Sequence, residues 1–210
     1  MRAAPYLPGP AGWLWLITYV GVLIWSGIEP HDRLTWWMEV SPAMLGLAIL
    51  IATRRRFPLT PLAYVLILLF AIILMVGGHY TYARVPAFDV IGGWFGWPRN
   101  NFDKLGHFAQ GLVPAIVARE ILLRFSVVRV RAWLAPIILA ICLAISAFYE
   151  LIEWWAALLN EQAVESFLGT QGYVWDTQSD MALALLGAAV ALLTLSRWHD
   201  RQLAAVTSNQ

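Results

Sequence analysis

Residues 61–79 read PLAYVLILLFAIILMVGGH, eighteen residues without a charge before His79 closes the run. At about 1.5 Å of rise per residue, a helix of this length matches the roughly 30 Å hydrocarbon core of a bilayer. Backbone N–H and C=O groups find no water there, so a continuous apolar run satisfies them internally as a helix. Three consecutive arginines, Arg54–Arg56, stand just before it. The stretch therefore predicts a membrane span with one strongly basic end.

Similar runs flank it on both sides, at about Gly12–Ile28, Trp36–Thr53, Asp103–Leu123, Ala132–Ala156 and Asp176–Leu195. The expectation is an all-α, polytopic transmembrane helix bundle of about six spans, one integral-membrane domain over residues 1–210. Composition agrees. The chain is 60% hydrophobic and 13% charged, with mean hydropathy +0.65, whereas a soluble domain carries about 25% charged residues. Arg2 ahead of the first apolar run resembles a signal peptide, but no small-x-small cleavage site follows Trp25, so the run is read as the first span. The longest connection, residues 80–102, is rich in Gly, Trp and Pro and is expected to be a loop in the headgroup layer. Its Gly92/Gly96 spacing carries no further meaning there.

Orientation follows from the basic residues. Arg2, Arg54–Arg56, Arg124, Arg129, Arg131, Arg197 and Arg201 fall on one side of the threaded chain; Arg33, Arg84, Arg99 and Lys104 fall on the other. The positive-inside rule places the richer side, with both termini, in the cytoplasm of a bacterial inner membrane. Tryptophans mark both interfaces, with Trp25, Trp36, Trp37, Trp94, Trp97, Trp154, Trp155 and Trp175 on the outer side. Net charge is +1 and gives no nucleic-acid signal, so the partner implied is membrane lipid; nothing identifies a protein partner. Cys142 is the sole cysteine, which excludes an intrachain disulfide and a cysteine metal cluster.

Threading assigns a depth to each ionisable residue. Asp103 and His107, four apart, share a face at the outer start of span four. Glu150 and Glu153, three apart, lie in the last turns of span five, and Asp176 and Asp180, four apart, in the first turns of span six. His79 ends span three and Glu39 opens span two on the same side. Each charge in the apolar layer costs about 2.5–3.5 kcal/mol, so the acids must be protonated, paired across helices, or bound to a cation. Lys104, Arg99 and Arg84 offset part of the charge. Oxygen-plus-imidazole sets suit a divalent metal ion, the one cofactor suggested here, with Asp103, His107, Glu150, Asp176 and Asp180 as candidate ligands. His107, Asp103 and Glu150 are the candidate catalytic groups; His79, Glu153, Gln110, Gln171 and Trp175 are candidate pocket residues. The competing reading is an interhelical hydrogen-bond and salt-bridge network with no ligand. Spacing alone does not decide, since neither HExxH nor paired ExxH occurs.

Other features have structural readings. Arg119, Glu120 and Arg124 suit the inner end of span four and phospholipid headgroups, with Glu120 and Arg124 a self-neutralising pair. Pro114 is expected to kink its helix, and Gly187, Ala188 and Ala191 to permit close packing. Gly169-Thr170-Gln171-Gly172 is a lid or a re-entry turn.

The strings GGHYTYARVP (77–86), RNNFDKLGHFAQGLVPAIVARE (99–120), SAFYELIEWWAA (146–157) and FLGTQGYVWDTQSDM (167–181) resemble the YjdF-like family of bacterial inner-membrane proteins. RRRFPLTPLAY (54–64) and RWHDRQL (197–203) extend the resemblance nearly end to end. It implies a multi-pass inner-membrane protein of no established activity. The family pattern has an acid after TQG, where this chain has Tyr173. A more distant likeness of layout, to VanZ-like membrane proteins, matches Asp103, Lys104, His107, Glu150, Asp176 and Asp180 in order. Layout does not supply function.

Three function classes follow. An enzyme acting on a lipid or lipid-linked substrate accounts for ionisable groups gathered at one headgroup depth. A non-catalytic membrane scaffold accounts for them as packing devices. A transporter fits less well, because a relay needs polar steps through the bilayer. Between His107 and Arg119, roughly 18 Å of helix, Gln110 is the one strongly polar side chain.

Overall fold

The computed structural model describes residues 9–159 and 174–207, and these are almost entirely helical. Gln171, Tyr173 and the segment Gly169-Thr170-Gln171-Gly172, expected to be a lid or a re-entry turn, lie outside the described residues. Seven α-helices follow in order: α1 (Pro10–Gly27), α2 (Arg33–Thr53), α3 (Pro61–Tyr80), α4 (Pro86–Phe95), α5 (Phe102–Arg124), α6 (Leu134–Leu159) and α7 (Asp176–Thr207). Short 3-10 turns at Tyr82–Arg84 and Arg131–Trp133 lead into α4 and α6.

Local chemistry explains the boundaries. The Asp32 carboxylate accepts the Thr35 backbone N–H at 2.7 Å and caps α2. Thr60 caps α3, whose first residue is Pro61, where a missing N–H costs nothing. Pro86 opens α4 in the same way, and Gly96 (φ 64°) closes it while the Trp97 N–H returns to the Gly92 carbonyl at 2.9 Å. The 80–102 connection thus holds a helix of 10 residues where the sequence led us to expect a loop.

Among the described residues, five helices, α1, α2, α3, α6 and α7, are long and apolar enough to cross a membrane. The sixth expected span, α5, is long enough at 23 residues but contains Asp103, Lys104, Arg119, Glu120 and Arg124. Its position accounts for this. α5 packs on α3, α6 and, over the greatest length, α7. A Cβ on Gly111 would lie 1.7 Å from the Ala184 carbonyl oxygen, and one on Gly187 would lie 2.0 Å from that of Phe108. Ala184, Ala188 and Ala191 are fully buried between the two helices. Small residues let the backbones nearly touch, and a helix sheathed by its neighbours needs no apolar face toward lipid.

The bundle is consequently polar within and apolar without. Glu39, Asp103, His107, Gln110, Arg119, Glu120, Asp180 and His199 are buried, while Leu14, Ile17, Leu45 and Leu193 are exposed, the last at 84%. In water that distribution would leave apolar surface unsolvated and charges stranded; in lipid it is the stable one. Trp13, Trp37, Trp94, Trp133 and Trp175 are likewise exposed near helix ends.

Candidate functional site

At the acid-rich end, where α5 and α7 begin and α6 finishes, ionisable side chains lie in successive tiers. The outermost is an ion-pair web. Arg99 Nη2 reaches Asp103 Oδ2 at 3.1 Å and Asp176 Oδ1 at 2.9 Å. Lys104 Nζ lies 2.7 Å from both Asp176 Oδ1 and Asp180 Oδ1, 2.8 Å from Ser179 Oγ and 3.5 Å from Asp103 Oδ2. One ammonium thus occupies the centre of the Asp103, Asp176 and Asp180 carboxylates.

One turn deeper stands His107. Its Nδ1 meets Gln110 Oε1 at 3.2 Å and lies 3.9 Å from Glu150 Oε1; its Nε2 faces Asp180 Oδ2 at 3.6 Å. A ring nitrogen of His107 and carboxylate oxygens of Glu150 and Asp180 all fall within 4.8 Å of one another. Glu150 Oε1 and Asp103 Oδ1 have no hydrogen-bond partner among the described residues, although both are shielded from solvent.

Across the bundle axis, the Tyr149 hydroxyl donates to Glu39 Oε2 at 2.7 Å. This bond joins α6 to α2, whose helix-scale packing is otherwise on α3. Tyr82 lies beside it, its ring filling notches at Gly77 and Gly106; a Cβ on Gly77 would come within 2.3 Å of that ring. Burial pushes the Tyr82 phenol well above its ordinary range, so it remains a proton donor at neutral pH.

These tiers enclose a cavity of about 170 Å³. Asp103, His107, Gln110, Asp180, Glu39, Glu153 and Tyr149 supply its polar lining, and Pro42, Phe70, Leu74, Pro114 and Ile145 its apolar lining. α5 continues through Pro114, whose ring faces this space.

Most of the residues singled out in the sequence meet here. Asp103, His107, Glu150, Asp176 and Asp180 are neighbours, and Gln110 and Glu153 line the cavity. Two pocket candidates stand elsewhere. His79 Nδ1 lies 3.1 Å from the Ser26 carbonyl, and its ring packs on Trp25, turned toward α1. Trp175 is 62% exposed. Tyr149 and Tyr82 escaped the sequence reading, because a tyrosine in an apolar run gives no depth signal of its own; their proximity to acids does.

The arginine-rich end holds a second buried cluster. Glu120, fully buried, accepts from the Thr60 backbone N–H (3.0 Å) and hydroxyl (2.8 Å) and from Arg124 (2.9 Å), and meets His199 Nε2 at 3.2 Å. Arg119 binds His199 Nδ1 at 3.1 Å and Asp200 at 2.6 Å. Since a guanidinium only donates, His199 Nδ1 accepts and its Nε2–H donates to Glu120. These residues leave no buried side-chain N or O atom unpaired among the described residues. The expected i,i+4 pairing of Glu120 with Arg124 is present at 2.9 Å, and it forms part of an interhelical clasp in which Arg119 pairs with His199 and Asp200. α7 continues past Leu195 to Thr207 and so supplies His199 and Asp200.

A sheathed polar helix within an apolar shell defines the chain as a polytopic membrane protein with a buried polar site. Residues 11–201 match the family described as "Predicted membrane protein (DUF2238)", and the chain belongs to that family. It is 58% identical over 187 residues to the "Inner membrane protein YjdF" of Escherichia coli (strain K12), covering 89% of this chain and 90% of that relative. The inner-membrane location expected from the sequence agrees with this relative. No solved structure matches.

Proposed function

We propose that the chain is a six-span protein with both termini in the cytoplasm, whose cavity takes a lipid or lipid-linked substrate at the periplasmic ends of spans three to six. A divalent cation is the cofactor that the donor set suits. The observation that carries this reading is the cavity's mixed lining, which includes Asp103, His107, Gln110 and Asp180 as well as Phe70, Leu74 and Ile145. Such a space matches a molecule with a polar head and an apolar chain. Asp103 and His107 both line this cavity, where, with no ion bound, they offer a proton acceptor and donor to a headgroup, and Glu150 stands beside His107 at 3.9 Å.

A scaffold role draws support from the outer tier, where Arg99 and Lys104 pair Asp103, Asp176 and Asp180. Native mass spectrometry of the delipidated protein separates the two. The wild type is expected to retain one lipid, and Ile145→Trp, which adds bulk to the apolar lining, to lose it with an unchanged melting temperature. Equal lipid content in both would reject the amphiphile reading. Topology is read separately, from a single cysteine placed at Arg55: labelling by an impermeant thiol reagent in spheroplasts would reverse the proposed orientation.

A further inference from the structure

We infer that one divalent cation binds between His107 Nε2 and the carboxylates of Asp180 and Glu150, and that Lys104 denies the adjoining Asp103–Asp176–Asp180 trio to a second ion. The inference rests on the cavity being a working site and specifies what its polar lining holds.

The hydrogen bonding of His107 sets the tautomer. Gln110 Oε1, 3.2 Å from Nδ1, is an acceptor, so the Nδ1 proton points to it and the Nε2 lone pair is left bare. In that tautomer the lone pair faces Asp180 Oδ2 at 3.6 Å, an acceptor opposite an acceptor. Glu150 Oε1, 3.9 Å from the Nδ1 side of the same ring, adds a third donor atom once its side chain turns toward Nε2. That oxygen has no hydrogen-bond partner among the described residues, and the Glu150 side chain is only 9% exposed. A bare ring nitrogen facing one carboxylate, with a second, unpartnered carboxylate oxygen close to the same ring in a shielded space, suits a cation.

Size agrees with chemistry. Two ligand atoms each about 2.1 Å from an ion are separated by roughly 3.0–3.4 Å. The 3.6 Å between Nε2 and Oδ2 needs only a small contraction, and a ring nitrogen of His107 with one oxygen from each carboxylate already falls within 4.8 Å. The Gln110 bond to the opposite ring nitrogen is the outer-sphere partner that metal-bound imidazoles usually have. One nitrogen with carboxylate oxygens, beside a cavity with room for water or substrate, suits a borderline or hard divalent ion such as Mn2+ or Zn2+.

The neighbouring trio of Asp103, Asp176 and Asp180 meets the same distance criterion. Its centre differs, because Lys104 Nζ lies 2.7 Å from two of those carboxylates and 3.5 Å from the third. A fixed ammonium at that point repels a divalent ion and supplies the neutralisation the ion would offer. Asp180 joins the two sets, one oxygen facing Lys104 and the other facing His107.

The test is titration of EDTA-stripped full-length protein in detergent with Mn2+, read by calorimetry and by pulsed EPR. The expected result is one ion per chain with a single imidazole-nitrogen coupling. His107→Ala should abolish that coupling, and Glu150→Gln should weaken binding by about tenfold or more. Lys104→Gln should raise the stoichiometry to two, with retained helix content checked by circular dichroism. Absence of binding by folded wild type, absence of nitrogen coupling, or a wild-type stoichiometry of two overturns the inference. Should Lys104→Gln fail to fold, the wild-type stoichiometry still decides. Lipid retention is measured independently: Mn2+ bound without lipid rejects the amphiphile reading alone, and lipid bound without Mn2+ rejects this one alone.

Discussion

At the scale of single residues, the two buried charge clusters differ in kind. Glu120 receives donors from Thr60, Arg124 and His199, and nothing in its surroundings asks for a ligand. Glu120→Ala would strand those donors and is expected to destabilise the protein by about 3–5 kcal/mol, measured by unfolding in mixed detergent micelles. In the other cluster, by contrast, His107 Nε2 faces Asp180 Oδ2 at 3.6 Å and Glu150 Oε1 has no hydrogen-bond partner among the described residues. Asp32 offers a milder case at the start of α2, where the Thr35 backbone N–H holds its carboxyl below the ordinary aspartate range. Its folded pKa is depressed, so its contribution is full above about pH 3.9, the ordinary aspartate value, and is lost as pH falls through the folded one. Asp32→Ala should cost about 1 kcal/mol at neutral pH and flatten the acid limb of a stability-versus-pH curve.

At the scale of elements, the α5–α7 pair is the one on which the site depends. Its separation is set by Gly111 against Ala184 and by Gly187 against Phe108, both backbone contacts that cannot yield as a flexible side chain would. Gly111→Val is therefore expected to push the helices apart and lower the melting temperature by roughly ten degrees or more, by analogy with overpacked cores that lose about 1–3 kcal/mol or more. Cation binding by any folded remainder should fall as well, because His107 and Asp180 lie on opposite members of the pair. Substitution at Gly93, where a Cβ would meet nothing within 4 Å, serves as the control.

At the scale of the whole molecule, α2 is a peripheral element. It leans on α3, and the Tyr149–Glu39 bond ties it to α6 across the cavity. Tyr149→Phe removes that tie without changing the ring. The expected outcome is faster amide hydrogen exchange along α2 near Glu39, with exchange in α5 and α7 unchanged. Uniform acceleration in all three would show that the bond supports the bundle as a whole.

The apolar runs and the basic loops contain, by themselves, what bilayer physics reads: which segments are helices and roughly where most of them end. The paired spacings on α5, α6 and α7 likewise suffice to bring the acids and His107 to one depth. Hydropathy could not show why α5 carries five charges, since the answer is its sheath of neighbours, and a window along one strand of sequence has no access to neighbours. Nor could spacing reveal that His79 turns toward α1, or that His199 closes a clasp with Arg119 and Glu120, 80 and 79 residues away in the chain. The division of the acids between Lys104 and His107 was equally hidden. Depth is a property of the thread through the membrane and is written in sequence. Azimuth, the direction a side chain faces around its helix relative to the others, is decided only when the helices pack.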